Sequence, residues 1–224
     1  MAEIGNNLQR IRELAVQSAN ATNSASDRAA LQKEVEQLTA EIGRVAQQTS
    51  FNGTNLLDGS FAGVAFQVGA DAGQLITVDS ITNANTNALG GTMFASGTVT
   101  IDAPADGNTD VSLSGISING VSLDDITVPA SGDDGAATQA AAVGALVSAI
   151  NARSAELGVV AEAGADGVVE VSSFQAGDTA IDFEITGATE AFSAPTSETF
   201  LADVDISSFA GAQQAIAIMD SALG

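Results

Sequence analysis

The chain has 224 residues, 45% of them hydrophobic, and 28 acidic side chains against six lysines and arginines, a net charge of −22. It contains no cysteine, histidine, tryptophan or tyrosine, which removes thiolate nucleophiles, the imidazole acid/base and the usual metal ligands other than carboxylates. So acidic a surface repels nucleic-acid phosphates and anionic headgroups, and no apolar run reaches the roughly 18 residues of a membrane span. Neither a nucleic acid nor a membrane is expected as a partner, and no cofactor or metal is.

Residues 1–44 hold Arg10, Arg12, Arg28, Lys33 and Arg44 against six acids; elsewhere Arg153 is the only cation. In this basic part Ile4, Leu8, Ile11 and Ala15 recur at helical steps, and Leu31, Val35, Leu38, Ile42 and Val45 do the same, each run forming one narrow apolar stripe. The second helix spans about 15 residues, Leu31 to Val45, or roughly 22 Å. Ser18 to Ser26, rich in Asn, Ser, Thr and Ala, reads as the break, so two helices fold back into a hairpin with a coiled-coil-like seam. Arg10 and Leu14 point away from the first stripe, so Leu14 either packs on a neighbouring helix or subunit or stands as an apolar knob on a wet face.

Phe51-Asn52-Gly53 is a turn signal, and Val64, Phe66 and Val68 alternate before a partner run from Leu75 to Val78, a β-hairpin expected to cap the rod. Ser80 to Gly91 lacks periodicity and suits a linker or a loop-like crossing. Short alternating strands then recur at Val99/Ile101, Val111/Leu113, Ile116/Ile118, Val168/Val171 and Ile181–Ile185. One helix interrupts them, Ala136 to Leu157, with Gly158 as its stop. At the end Ala212, Ala215, Ile216, Met219 and Leu223 share a helical face after an N-cap at Ser207 or Ser208. The fold class is α+β: a helical rod of about three packed helices with a β-hairpin, plus an inserted β-rich α+β domain. The expected division is 1–80, 81–202 and 203–224, and both ends read as cut.

Asp106-Gly107-Asn108-Thr109-Asp110 shares the opening of a calcium loop, but Val111 and Ser117 stand where that loop needs Gly and Glu, so it reads as a turn. Asp124-Asp125 and Asp133-Asp134 read as solvated charge. The sequons at Asn20 and Asn52 lie in turn signals that already explain them.

QRIRELAVQSANATNS with FNGTNLLDG and FQVGA, and then VDISSFAGAQQAIAIMDSAL, resembles bacterial flagellin across essentially the whole chain. GISINGVSLDD with AINARSAELGVVAEA resembles the "IN" repeat of flagellin variable domains and of hook-cap proteins. The resemblance implies a structural filament subunit, secreted by the flagellar type III route and located in the extracellular flagellum. It divides the chain into an N-terminal D1 part, a D2-like variable domain and the start of the C-terminal D1 helix. The terminal D0 helices of the family would precede Met1 and follow Gly224, so an engineered core fragment, monomeric by itself, is expected. The resemblance also implies two partners: other flagellin subunits, and Toll-like receptor 5 of vertebrate hosts, bound at positions matching Arg10, Leu14 and Glu34 with Gln9, Glu13 and Gln17 at the rim. A hook-cap or adhesin-like secreted protein is the alternative; FNGTNLLDG and FQVGA beside QRIRELAVQ argue against it. Enzyme activity of the kind some flagellins carry needs HExxH, which a chain without histidine lacks.

Overall fold

In the computed structural model, which describes every residue except Ala21, Ala72, Asp133 and Asp134, the first helix, α1, runs Ala2–Ser18 and buries Ile4, Leu8, Ile11, Leu14, Ala15 and Ser18. The stripe read from the sequence is there, but Leu14 belongs to the core, 1% exposed. The reason is that α1 packs against both α2 (Ala25–Gln48) and α5 (Phe209–Leu223). At about 100° per residue Leu14 sits roughly 90° from the centre of the expected stripe, and a second partner widens the buried arc to include it.

The break between α1 and α2 is shorter than expected and α2 longer, at 24 residues. Ser24 caps α2: its hydroxyl accepts from the Asp27 N–H, and the Asp27 carboxylate accepts from the Ser24 N–H at 3.0 Å, a capping box built with Asp in place of Glu. On α2 Val35, Ile42 and Ala46 are buried, whereas Leu31, Leu38 and Val45 are half-buried. The burial stripe is therefore turned from the one expected, toward the extended segment 204–206. There the Gln32 carboxamide donates to Val204 O at 3.2 Å and accepts from Ile206 N at 2.8 Å, and Ser18 Oγ donates to Ile206 O at 2.5 Å.

Ser208 caps α5, accepting from Gly211 N at 3.0 Å. Its buried face is Ala212, Ala215, Ile218 and Met219, so Ile218 stands where the sequence suggested Ile216, and Leu223 is 36% exposed. After α2 come two short strands, β1 (Ser50–Phe51) and β2 (Thr54–Asn55), and then the hairpin β3 (Ala62–Gln67) and β4 (Leu75–Ser80), paired Val64↔Val78 and Phe66↔Ile76. This hairpin does not cap the rod as expected: Phe66, Val68, Leu75 and Ile76 are all exposed. Residues 81–91 are not a linker. Ala84 and Leu89 are buried, and Ala84 N donates to Leu57 O, Leu201 N to Leu89 O and Ala202 N to Thr86 O. These bonds tie 81–91 and 199–202 into the rod, so the chain divides into one unit of Met1–Gly91 with Thr199–Gly224 and another of Thr92–Glu198.

The second unit has two antiparallel sheets. One runs β12 (Thr189–Ser193), β5 (Ser96–Thr100), β10 (Val168–Ser173), β9 (Val159–Ala163); the other runs β11 (Phe183–Thr186), β6 (Val111–Ile118), β7 (Val121–Ser122), with β8 (Ile126–Val128) also on β6. The helix α3 (Ala136–Ala152) lies against β8 and β9. It breaks at Arg153 before a last turn, α4 (Ser154–Leu157), that Gly158 stops in the left-handed region, so the single helix expected is two. Val99, Ile101, Leu113, Ile116, Ile118, Leu146, Ile150, Val169 and Val171 form the centre of the core. The two expected strands at 111–113 and 116–118 are one strand, β6, kinked by a bulge: Gly115 has φ 61°, and the register slips between Ser114↔Thr186 and Ser117↔Glu184. The extra residue switches the side-chain parity, so that 111 and 113, then 116 and 118, all face inward.

Candidate interaction surface

The exposed side of α1 meets α2 in a cluster of charges. Arg10 lies at the edge of the buried arc, so its guanidinium reaches across to α2: Nε and Nη2 donate to Glu34 Oε1 at 3.0 and 2.8 Å, and Nη1 donates to Glu13 Oε2 at 3.1 Å. The two carboxylates, Glu34 above all, hold the guanidinium pKa above its ordinary value. On the opposite edge Arg12 Nε donates to Asp220 Oδ1 of α5 at 2.7 Å, and that bond raises its pKa in the same way. Such exposed pairs add little to stability; they fix which charges face outward.

Of the six residues picked out from the sequence, Gln9, Arg10, Glu13 and Gln17 are exposed on α1 and Glu34 is half-buried beside them on α2. Leu14 is not part of that surface. It is buried beneath it and offers no apolar knob to a partner.

The more apolar surface, the β3–β4 hairpin, was not among the surfaces picked out from the sequence. Phe66 pairs with Ile76 and Gln67 with Leu75, and Phe66, Val68, Leu75 and Ile76 are between 40 and 61% exposed. Among the described residues only Phe61, buried at 7%, meets it with a ring, 6.4 Å from that of Phe66. The signal available was the consecutive pair Leu75-Ile76, which puts a large apolar residue on both faces of a strand. Two strands alone are marginal in water, and exposed clusters of this kind mark surfaces that associate.

The remaining candidates have local roles. Thr109 Oγ1 donates to Asp106 Oδ1 at 2.7 Å and Ala130 N to Asp110 Oδ1 at 2.8 Å, which is turn geometry. Asp125 accepts from Gly115 N at the bulge; Asp133-Asp134 lies outside the described residues. Asn20 Oδ1 accepts from the Thr22 N–H and hydroxyl. Among the described residues no cluster of three or more acids forms that suits a metal ion, and no helix is long and apolar enough to cross a membrane.

The asparagines of the two "IN" motifs prove to be clamps. Asn119 Nδ2 donates to Leu157 O at 2.8 Å and its Oδ1 accepts from Asp182 N at 3.2 Å. Asn151 makes both bonds with Ala161, at 2.8 Å each.

A family profile of the bacterial flagellin N-terminal helical region matches residues 1–62. Flagellin B of Vibrio cholerae is 36% identical over 229 residues, covering all of this chain and 57% of the relative. Polar flagellin A of Vibrio parahaemolyticus is 33% identical over 228 residues, again covering the whole chain and 57% of the relative. The chain thus spans a little over half the length of these curated relatives. Among solved structures, FliC from Burkholderia pseudomallei superimposes with a TM-score of 0.50 at 29% identity, covering 99% of this chain and 88% of that one. These likenesses do not favour a hook-cap or adhesin-like protein. They run through the helical hairpin, the inserted unit and the returning helix in one order, and the chain belongs to the bacterial flagellin family.

Proposed function

We propose that this chain is part of a structural subunit of the bacterial flagellar filament, located outside the cell and without catalytic activity. The observation that carries the reading is the uncovered apolar hairpin β3–β4 on a unit whose helices are otherwise packed: other subunits would cover it. In the flagellin that contains this chain, Phe66→Ser with Ile76→Ser should abolish or shorten filaments seen by electron microscopy while leaving helicity unchanged. Normal filaments from that variant would sink the assignment of this surface. Within the family's layout the rod unit corresponds to D1 and the inserted unit to the variable domain, and export follows the flagellar type III route.

The exposed face of α1 and α2 is, on the family resemblance, the surface bound by Toll-like receptor 5. Arg10, Glu13 and Glu34 form one charged cluster with Gln9 and Gln17 beside it, and Leu14 supports it from beneath. Arg10→Ala and Glu34→Ala should each weaken binding to the purified receptor ectodomain about tenfold or more. Equal binding by wild type and the double variant would remove the receptor from this face.

A further inference from the structure

We propose that Asn52 is a site of spontaneous deamidation, ending as a mixture of aspartate and isoaspartate, while the matching pair Asn119-Gly120 is kept intact by its hydrogen bonds. In an Asn-Gly pair the glycine nitrogen, unobstructed by a side chain, attacks the asparagine Cγ. A bond forms between Gly53 N and Asn52 Cγ and the bond from Cγ to the side-chain nitrogen breaks. That nitrogen takes up the proton lost by Gly53 N and leaves as ammonia. Water then opens the cyclic imide: attack at Cγ restores the normal chain with an aspartate, and attack at the main-chain carbonyl leaves the chain running through Cγ. No reagent other than water is consumed, and hydroxide speeds the first step by removing the proton from nitrogen.

The two pairs form a natural comparison because their local backbones are alike. Asn52 and Gly53 have φ of 51° and 81°, Asn119 and Gly120 of 51° and 77°, the left-handed corners of two-residue hairpin loops. Their surroundings differ. Asn52 and Gly53 are exposed, and they join two strands of two residues each that pair with nothing else. No hydrogen bond holds the Asn52 carboxamide among the described residues. Asn119, by contrast, gives its Nδ2 to Leu157 O, takes the Asp182 N–H at Oδ1, and donates its own N–H to Asp182 O at 2.7 Å. Swinging Cγ onto the next nitrogen breaks those bonds at 119. At 52 it needs only the opening of a short, exposed ladder, the least costly kind of local unfolding. The isoaspartate product lengthens the loop by one backbone carbon, which the Phe51↔Thr54 register does not accommodate.

The test is to age the folded chain in neutral and mildly alkaline buffer, digest samples over time and follow both peptides by mass spectrometry, with an isoaspartyl methyltransferase reporting the rearranged product. The expected result is conversion at Asn52 that quickens with pH and runs at least about tenfold faster than at Asn119, with the two rates converging in denaturant. Asn52→Gln should abolish the signal at the first peptide and leave the second unchanged. An Asn52 that survives in the folded chain while the denatured chain converts it would overturn the proposal. Equal rates at the two sites in the folded chain would do the same.

Discussion

The rod and the inserted unit bury their side chains in different ways. In the rod, α1 lies between α2 and α5 and contributes an arc that holds Ile4, Leu8, Ile11, Leu14 and Ala15, while α2 gives only Val35, Ile42 and Ala46. In the inserted unit the core draws on both sheets and α3, and its side chains are placed by the bulge in β6 and by asparagine clamps on the backbone as much as by periodicity. Burial in the rod thus depends on how many neighbours a helix has, and burial in the inserted unit on where a strand changes parity. A helix reading that draws one narrow stripe errs at its margins; a strand reading that assumes strict alternation errs at the bulge.

The sharpest way to break the first half of that comparison is to truncate leucines on the two helices. Leu14→Ala should cost about 2–5 kcal/mol, as for other fully buried leucines, whereas Leu38→Ala, half-buried on α2, should cost only about 1 kcal/mol. Urea unfolding of the two variants decides it. Equal costs would mean that α1 has no wider arc than α2.

In the inserted unit, Gly97→Ala should follow in size. A Cβ at residue 97 would lie 2.6 Å from Ala191 O and 2.2 Å from Phe192 Cδ1, whose ring stacks on Phe183 at 4.9 Å. Overpacking of this order costs about 1–3 kcal/mol, and faster amide exchange along β5 and β12 would show it. Asn151→Ala should cost about 1–2 kcal/mol, because it leaves the Ala161 N–H and C=O without their partners. Unchanged exchange at Ala161 would mean that the clamp holds nothing in place.

The sequence revealed the rod's helices because an apolar step of three and four residues survives any choice of partner. It did not reveal their ends. The capping box from Ser24 to Asp27 straddles the end of a run of Asn, Ser and Thr that reads as one long break, and α2 begins at Ala25, well before the Leu31 expected. Leu31, Leu38 and Val45 drew the stripe of α2 toward themselves because they are large, yet Ala46 is the residue that faces the core. The strands β9 and β12 were missed for separate reasons. VVAEA follows directly on the helix stop at Gly158, and TEAFS carries one large side chain, Phe192, which packs over a glycine. On the candidate surface, Arg10 and Glu34 were picked out through the family resemblance rather than by the helix pattern. For Leu14 the helix pattern allowed two readings, packed on a neighbouring helix or exposed as a knob, and the packing of α1 between two helices decides for the first.

The smallest effect concerns the loop after β2, where the rod unit depends on a carboxylate rather than on apolar contacts. Asp58 Oδ1 accepts from the Ser60 hydroxyl at 2.6 Å and from Ser60 N at 3.0 Å, and Oδ2 from Asn55 Nδ2 at 2.9 Å. These bonds favour the ionised form, with the Ser60 hydroxyl first, and hold the pKa down from 3.8 to about 2. A carboxyl depressed in the folded state contributes its stability in full above the unfolded value and loses it as pH falls through the folded one. The loop should therefore stay ordered on acidification past pH 3.8 and loosen toward pH 2. A carbon-detected titration of Asp58 should place its midpoint near 2, and Asp58→Asn should remove the pH dependence of the Ser60 amide shift with little change in the unfolding midpoint, since the side chain is only half-buried. A midpoint at the ordinary aspartate value would mean that the three hydrogen bonds do not persist in solution. The order of the loop would then rest on the buried Leu57 side chain and on backbone-anchored bonds such as Ala84 N to Leu57 O and Asn85 Nδ2 to Asp58 O.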